Sequence, residues 1–223
     1  MMRFADRAEA GRLLAQRLVS MHLVNPVVLA LPRGGVPVGA QIARALNAPL
    51  DLLLVRKIGV PWQPELAVAA VIDGEQPDVV IDESVRRAAG IPAEYIDKQA
   101  KEQLGEIERR RRLYLGARAP VKVKGCTAIV VDDGIATGTS MRAALRALRR
   151  RAPARLVLAV PVAPPDTVAR LSAEVDDVVC LSQPSPFMAI GPYYDDFHQL
   201  ADSEVTALMS ELDRAQAAAG SAT

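Results

Sequence analysis

The sequence predicts an α/β protein whose open, mostly parallel sheet is covered by helices on both faces. Two observations lead to this fold class. The apolar segments are short, continuous runs rich in Val, Ile and Leu, which are typical of parallel strands buried on both faces. Segments with the spacing of amphipathic helices separate these runs along the 223 residues. The length predicts a single domain over residues 1–220.

The first half of the chain predicts one helix, several strands and a second, much longer helix. Asp6, followed by Glu9 three residues later, predicts the capped start of the first helix. Pro92 predicts the start of the long charged helix, because proline suits the first helical turn. The elements predicted between them are strands at 27–31, 51–58, 67–73 and 78–82 and a helix near 36–46.

The second half repeats the alternation of strand and helix. The elements predicted here are strands at 126–133, 155–163 and 177–181 and helices at 138–151 and from Pro165. A last helix is predicted from the apolar stripe of Val205, Leu208, Met209 and Leu212. The tail after Gly220 is predicted to be frayed.

Composition and charge exclude several classes of protein. Half of the residues are hydrophobic and 24% are charged, as in ordinary globular proteins. A net charge of +1 predicts neither a nucleic-acid partner nor an anionic membrane surface. The run Arg109 to Arg112 is read as a solvated helix face, because acidic residues share its segment; a basic patch is the alternative.

Two further features bear on the compartment. No stretch approaches the roughly 18 apolar residues of a membrane span, and the first residues lack a signal-peptide pattern, so a cytoplasmic protein is predicted. Cys126 and Cys180 stand too far apart for the usual zinc spacings, and two buried, reduced thiols are predicted.

The stretch IVVDDGIATGTSM, residues 129–141, is the strongest candidate for a binding site. In open α/β sheets, ligands bind beyond the carboxyl ends of the strands, which is where Asp132 and Asp133 fall. The glycines, the hydroxyl residues and the start of the next helix favour a bound phosphate, and the two acids suit sugar hydroxyls. The alternative is an ordinary strand, turn and capped helix. A Walker loop is excluded, because the stretch has no lysine.

Two other stretches carry cations at strand ends. In LPRGGVPVG, residues 31–39, Arg33 precedes two glycines, which favours contact with an anion; a tight turn is the alternative. In VRKIGVPWQPE, from residue 55, Lys57 is read as an anion ligand and Trp62 as part of an exposed loop. Glu65 is read either as a proton carrier or as the first turn of a helix.

Together these stretches resemble the type I phosphoribosyltransferases, including a bacterial subgroup that is usually described only by family. The resemblance rests on two acids followed by G-x-A-T-G-T-S, on the stretches at 31–39 and 55–71, and on DDVVCLSQPSPFMAIGPYYDDF at 176–197. It spans nearly all of residues 1–212. The family's fold implies a small hood, formed here mainly by about 182–200.

The resemblance implies a site for 5-phosphoribosyl 1-diphosphate, with Mg²⁺ held mainly by ligand oxygens and water. The residues that it assigns to catalysis are Lys57, Arg33, Asp132 and Asp133. The residues that it assigns to substrate binding are Arg33, Gly34, Gly35, Arg56, Lys57, Asp132, Asp133, Gly134, Ala136, Thr137, Gly138, Thr139, Ser140 and Phe187. The family often has a cis peptide at the position of Arg33–Gly34.

The implied reaction transfers the 5-phosphoribosyl group to a nitrogenous base and releases diphosphate. Phe187 is the candidate for stacking on that base, and packing within the hood is its alternative. Ala136 stands where enzymes for 6-oxopurines carry an aspartate, which counts against hypoxanthine and guanine. The alternative function is a non-catalytic or regulatory protein that binds the donor or a nucleotide, and the assembly considered is a homodimer.

Overall fold

The computed structural model describes residues 2–74 and 77–220, with side chains through Ala215. The helices are α1 (Arg7–Val19), α2 (Gly35–Leu46), α3 (Glu83–Ala88), α4 (Ala93–Leu115), α5 (Thr139–Arg150), α6 (Pro165–Ser172) and α7 (Asp202–Gly220). The strands are β1 (Pro26–Ala30), β2 (Leu50–Leu52), β3 (Val55–Val60), β4 (Gln63–Ile72), β5 (Asp78–Ile81), β6 (Thr127–Val131), β7 (Arg155–Val162) and β8 (Asp177–Ser182).

The main sheet has five parallel strands in the order β2-β1-β6-β7-β8. Side chains alternate between its two faces along each strand, as the period of a strand requires. In β1, Val28 and Ala30 belong to the hydrophobic core on one face, whereas Val27 and Leu29 belong to the core on the other. Both faces are therefore buried, and the predicted fold class is confirmed.

The strand predicted over 51–58 is wrong, because the chain changes sheets within it. β2 stays in the main sheet, whereas β3 pairs with β4 in a second, antiparallel sheet of order β3-β4-β5. Asp73 fixes the change: its carboxylate accepts from the Leu54 amide at 2.8 Å, and its own amide donates to the Leu54 carbonyl at 3.0 Å. The sequence does not show this change of sheet, because the apolar run continues from β2 into β3.

A buried ion cluster joins the two sheets. Arg111 of α4 contacts Asp51 of β2 at 3.1 Å and Asp73, which follows β4, at 2.8 Å. Two carboxylates share one guanidinium in a poorly solvated position, and burial is the main cause that raises the pKa of Asp73 to about 6. The cluster fixes where the antiparallel sheet sits against the parallel one.

The arginine run on α4 is only partly a solvated face. Arg109 and Arg110 both pair with Glu106, and Arg112 lies near Glu108. Arg111 contradicts the prediction, because its side chain is only 15% exposed. It follows Ile107 by four residues, and Tyr114 follows that isoleucine by seven, so all three share the buried helix face.

Several helix ends follow the predicted signals. Asp6 caps α1 by accepting from the Glu9 amide at 2.7 Å. Pro92 precedes α4 at its cap position rather than lying in the first turn. Gly138 caps α5 with φ +75°, in the left-handed region that favours glycine. The short helix α3 was not predicted, although Asp82 caps it.

The hood lies between β8 and α7 and includes a 3-10 turn at Gly191–Tyr193. It also binds the start of the chain, because the Phe4 amide donates to the Tyr193 carbonyl at 2.9 Å and the Phe4 ring packs on Tyr194. In α7, Val205, Met209 and Leu212 are buried as predicted, and Leu208 is half-buried.

Both cysteines are free; Cys126 is buried and Cys180 is half-buried. Among the described residues, every helix is too short or too polar to span a bilayer. The predicted fraying after Gly220 lies outside the described residues.

Candidate functional site

The loops that follow β1 and β6 meet at the carboxyl edge of the main sheet. The two strands are parallel neighbours, so their ends coincide. The Leu31 amide, just beyond β1, donates to the Val131 carbonyl at the end of β6 at 2.9 Å. The predicted Arg33 and Asp132 segments therefore lie side by side.

Gly34 and Gly35 allow the two loops to touch each other. A Cβ on Gly35 would lie 2.7 Å from the Val131 carbonyl oxygen, and one on Gly34 would lie 2.0 Å from Oδ2 of Asp133. Both distances are too short for any side chain. These glycines thus permit close contact between the loops, in addition to any approach of backbone to a ligand.

The cis peptide in this turn joins Pro32 to Arg33. The resemblance implied Arg33–Gly34, so the expected position is wrong by one residue. Gly34 already has helical backbone angles, and the Gly35 amide donates to the Leu31 carbonyl at 3.0 Å, so the chain reverses before Gly34. The Arg33 side chain is 35% exposed and lies 3.7 Å from the carboxylate of Asp202.

The two neighbouring acids have different surroundings. Asp133 is 8% exposed, and its Oδ2 accepts from Nε of Arg7 at 2.8 Å. The same guanidinium donates to the His198 carbonyl at 3.0 Å and lies 4.0 Å from the centroid of the Phe197 ring. Asp133 is thus tied to α1 and the hood, and burial raises its pKa while Arg7 lowers it.

Asp132 is half-buried and lines a cavity at the sheet edge. Its Oδ1 accepts from the Asp133 amide at 2.9 Å. Burial, and next the charge of Asp133, raise the pKa of Asp132 well above its usual range. A carboxylate in this state is stabilised by any hydroxyl or cation that enters the cavity.

The segment from Gly134 to Ser140 runs from the hood to the start of α5. Gly134 is buried, and a Cβ there would lie 2.7 Å from the Ile190 side chain. The Ala136 carbonyl accepts from the Thr167 hydroxyl at 2.8 Å. Ala136, Thr137 and Thr139 are exposed, whereas Ser140 is half-buried, so the loop presents its hydroxyls and the first amides of α5 outward.

The cavity at the sheet edge, called here the strand-edge cavity, has a volume of about 230 Å³. It brings together residues from four segments of the chain. Its polar lining includes Arg56, Arg110, Asp132 and Ser140, and Pro32 lines it just before Arg33. Cations, a carboxylate and a hydroxyl therefore surround one space.

Arg56 and Lys57 serve different cavities. They are neighbours in β3, so their side chains leave opposite faces of the strand. Arg56 lines the strand-edge cavity and donates to Gln103 of α4 at 3.0 Å. Lys57 lines a second space of about 170 Å³, the loop-side cavity, together with Thr137 and Thr139. The lysine thus faces the loop for which a bound phosphate was predicted, rather than the strand-edge cavity.

The rest of the predicted mobile loop is a β-hairpin. Trp62 is 69% exposed at its turn, as expected for an exposed segment. Glu65 lies in β4, so the prediction of a helix there is wrong. Pairing with β3 gives it an extended backbone, and its carboxylate lies 3.6 Å from Nζ of Lys57.

Phe187 lies in the hood, where it stacks on Tyr193. The ring centroids are 5.6 Å apart and the planes differ by 6°. Phe187 is half-buried, so one aromatic surface is already used for packing. This contact agrees with the alternative interpretation of Phe187, packing within the hood. A role in binding a base stays a prediction.

Arg7 and Arg110 are site residues that the sequence did not reveal. No sequence pattern indicated Arg7 as a site residue, since its partner Asp133 is 126 positions away. The helical period did indicate Arg110: it lies three residues after Ile107 and four before Tyr114, both buried, and so borders the inner face of α4.

The described residues fit a magnesium ion that the ligand itself would largely hold. In the described part of the chain, no three His, Cys, Asp or Glu side chains are grouped as a metal site. Asp132 brings a carboxylate to the strand-edge cavity, which matches the few protein oxygens that Mg²⁺ requires beside phosphates and water.

This chain has a parallel sheet whose loops meet at its carboxyl edge, which is where open α/β proteins bind their ligands. A family model described as "Phosphoribosyl transferase domain" matches residues 5–197. The chain belongs to the phosphoribosyltransferase family, in its type I branch.

Relatives and a solved structure agree with this membership. Two Mycobacterium tuberculosis proteins, from strains CDC 1551 / Oshkosh and H37Rv, are each 45% identical over 217 residues and carry the provisional name phosphoribosyl transferase. The match covers 97% of this chain and 48% of theirs, so this chain spans about half the length of these relatives. The crystal structure of TT1426 from Thermus thermophilus is 43% identical, has a TM-score of 0.84, and is matched over 94% of this chain and 99% of its own.

Proposed function

We propose that this chain transfers the 5-phosphoribosyl group from 5-phosphoribosyl 1-diphosphate to a nitrogenous base, with Mg²⁺ bound to the donor. The observation that carries the proposal is the strand-edge cavity, where Asp132 and Ser140 from the loop after β6 face Arg56 and the turn before Arg33. A sugar with anionic groups at both ends needs a carboxylate to accept from its hydroxyls and hydrogen-bond donors on either side to bind the anionic groups.

The donor lies across the carboxyl edge of the sheet in this proposal. The 5-phosphate accepts hydrogen bonds from the first amides of α5 and from Thr137, Thr139 and Ser140. Asp132 accepts from the ribose hydroxyls. The diphosphate lies near Arg33 and Arg56, whose planar guanidinium groups match phosphate oxygens.

Asp133 takes a different role from the one that the sequence alone predicted. The family resemblance gave it a ribose hydroxyl, but its Oδ2 is already held by Arg7. We assign Arg7 as a positioning residue, which fixes the orientation of Asp133 and of the backbone that carries Asp132.

The reaction breaks the bond between C1 of the ribose and the diphosphate oxygen, and the ring nitrogen of the base forms a new bond to C1. The base nitrogen gives up its proton to solvent, and diphosphate leaves with its electron pair. Positive charge develops at C1 and negative charge on the leaving group, so the side chains act by electrostatic stabilisation and positioning. A bound Mg²⁺ would neutralise part of the diphosphate charge.

The test is release of diphosphate from 5-phosphoribosyl 1-diphosphate with a panel of bases. We expect release that depends on one base, and slower release with Asp132→Asn. Binding of the donor is measured in parallel by calorimetry. Donor binding without release by any base supports the alternative, a regulatory binding protein, and absence of donor binding overturns both.

A further inference from the structure

We propose that Arg110 of α4, which belongs to no motif at a strand end, is a ligand of the diphosphate group. This inference rests on the proposed function, and it names a binding residue contributed from outside the strand-end loops. Arg110 lines the strand-edge cavity with Pro32 and Asp132, although it is 78 and 22 positions from them in the sequence.

The ionic partners of Arg110 leave positive charge available. Glu106 accepts from Arg110 at 2.7 Å and also from Arg109 at 2.8 Å, so one carboxylate faces two guanidinium groups. Across the cavity, Arg56 donates to the neutral amide of Gln103. The cavity therefore has two guanidinium groups with incomplete neutralisation, and its lining carboxylate is Asp132.

Arg110 is also connected to Arg33, which the sequence predicted to contact an anion. Arg110 precedes Tyr114 by four residues in α4, so the two side chains are neighbours on one face of the helix. Tyr114 donates to Asp202, whose carboxylate lies 3.7 Å from Arg33. Arg56 and Arg110 thus line the cavity from β3 and α4, and Arg33 directly follows Pro32, which lines it from the turn after β1.

This arrangement favours a diphosphate over a singly charged group. Three guanidinium groups can each offer two parallel N–H donors, and a diphosphate bound to Mg²⁺ has enough oxygens to accept from all of them. The 5-phosphate has a separate set of donors at the start of α5. Loss of Arg110 should therefore weaken binding at one end of the donor only.

The experiment measures binding of magnesium diphosphate, ribose 5-phosphate and 5-phosphoribosyl 1-diphosphate by calorimetry. Arg110→Gln is compared with Arg112→Gln, a control on the same helix because Arg112 lies near Glu108 rather than Glu106 and is 81% exposed. We expect Arg110→Gln to weaken binding of magnesium diphosphate and of the donor by about ten- to a hundredfold, with ribose 5-phosphate unchanged. Arg112→Gln should leave all three affinities unchanged.

Arg110→Lys separates charge from geometry. It keeps the positive charge but loses the planar fork, so part of the lost affinity should return. Equal affinities of Arg110→Gln and wild type for magnesium diphosphate overturn the inference, as does equal weakening by Arg112→Gln. If wild type binds magnesium diphosphate through Arg110 but releases none from the donor with any base, the proposed transfer fails and the diphosphate site stands.

Discussion

Nε of Arg7 lies 2.8 Å from Oδ2 of Asp133, and both side chains are almost completely buried. The first residue of α1 is thereby joined to the loop after β6. A charge pair in such a place is held by further contacts, here the His198 carbonyl and the face of Phe197. The loop after β6 that carries Asp133 is therefore held in position by α1 and the hood.

Asp133→Asn is expected to destabilise the fold as well as the site. The substitution leaves the guanidinium of Arg7 buried without its counter-charge, which costs about 3 kcal/mol of unfolding free energy. Urea unfolding of both single variants and of the double variant with Arg7→Met measures this coupling. If the two single losses simply add in the double variant, the pair is not coupled.

Gly34→Ala is expected to displace the Asp133 carboxylate and to weaken donor binding. The new Cβ would lie 2.0 Å from Oδ2, which Arg7 holds in place, and overpacking of this kind costs about 1–3 kcal/mol. Gly105→Ala is the control, because its Cβ meets no atom within 4 Å in α4. That change should stabilise by up to about 1 kcal/mol. Equal behaviour of the two alanine variants would contradict the close contact.

The stability of the fold is expected to depend on pH through Asp73. Its pKa is raised from 3.8 to about 6 in the folded protein, so the folded state binds the proton more tightly than the unfolded chain does. The ionised carboxylate therefore lowers the unfolding free energy above about pH 6, and this loss disappears as the pH falls below about 4. The shift corresponds to about 3 kcal/mol.

Asp73→Asn tests this dependence. The stability difference between variant and wild type, measured by urea unfolding from pH 4 to pH 7, should change in favour of the variant as the pH rises. Asp51 and Arg111 face Asp73 and stay in place in both proteins. A difference that is constant over this range would show that Asp73 does not titrate there.

Lys57→Met and Arg56→Met are expected to affect opposite ends of the donor. Lys57 lines the loop-side cavity with Thr137 and Thr139, so its loss should weaken ribose 5-phosphate binding by about tenfold. Arg56 lines the strand-edge cavity, so its loss should weaken magnesium diphosphate instead. Calorimetry with the two probes decides; weakening of the same probe by both variants would contradict the assignment.

The sequence predicted the parallel sheet and the two strand-end loops because these depend on local signals. Continuous apolar runs specify strands buried on both faces, and Gly138 marks the turn into α5. The antiparallel sheet was missed, since the run from 51 to 58 has no local break and the change of sheet depends on Asp73, far along the chain.

The composition of the site was predictable only where it follows the backbone. Asp132 and Ser140 lie at the two ends of one loop, so their spacing indicated a shared ligand. Arg7 reaches the site through a tertiary contact that no spacing encodes. Arg110 was assigned to solvent because charged neighbours dominate its segment, although the helical period places it beside a buried face.

The opposed side-chain directions of Arg56 and Lys57 also constrain how the length of β3 can change through evolution. A single-residue insertion or deletion before them, within the strand, reverses which charge points to which space, because side-chain direction has a period of two. Two-residue changes preserve it. Lineages that keep both charges should therefore vary in length here by even numbers, or compensate with a bulge.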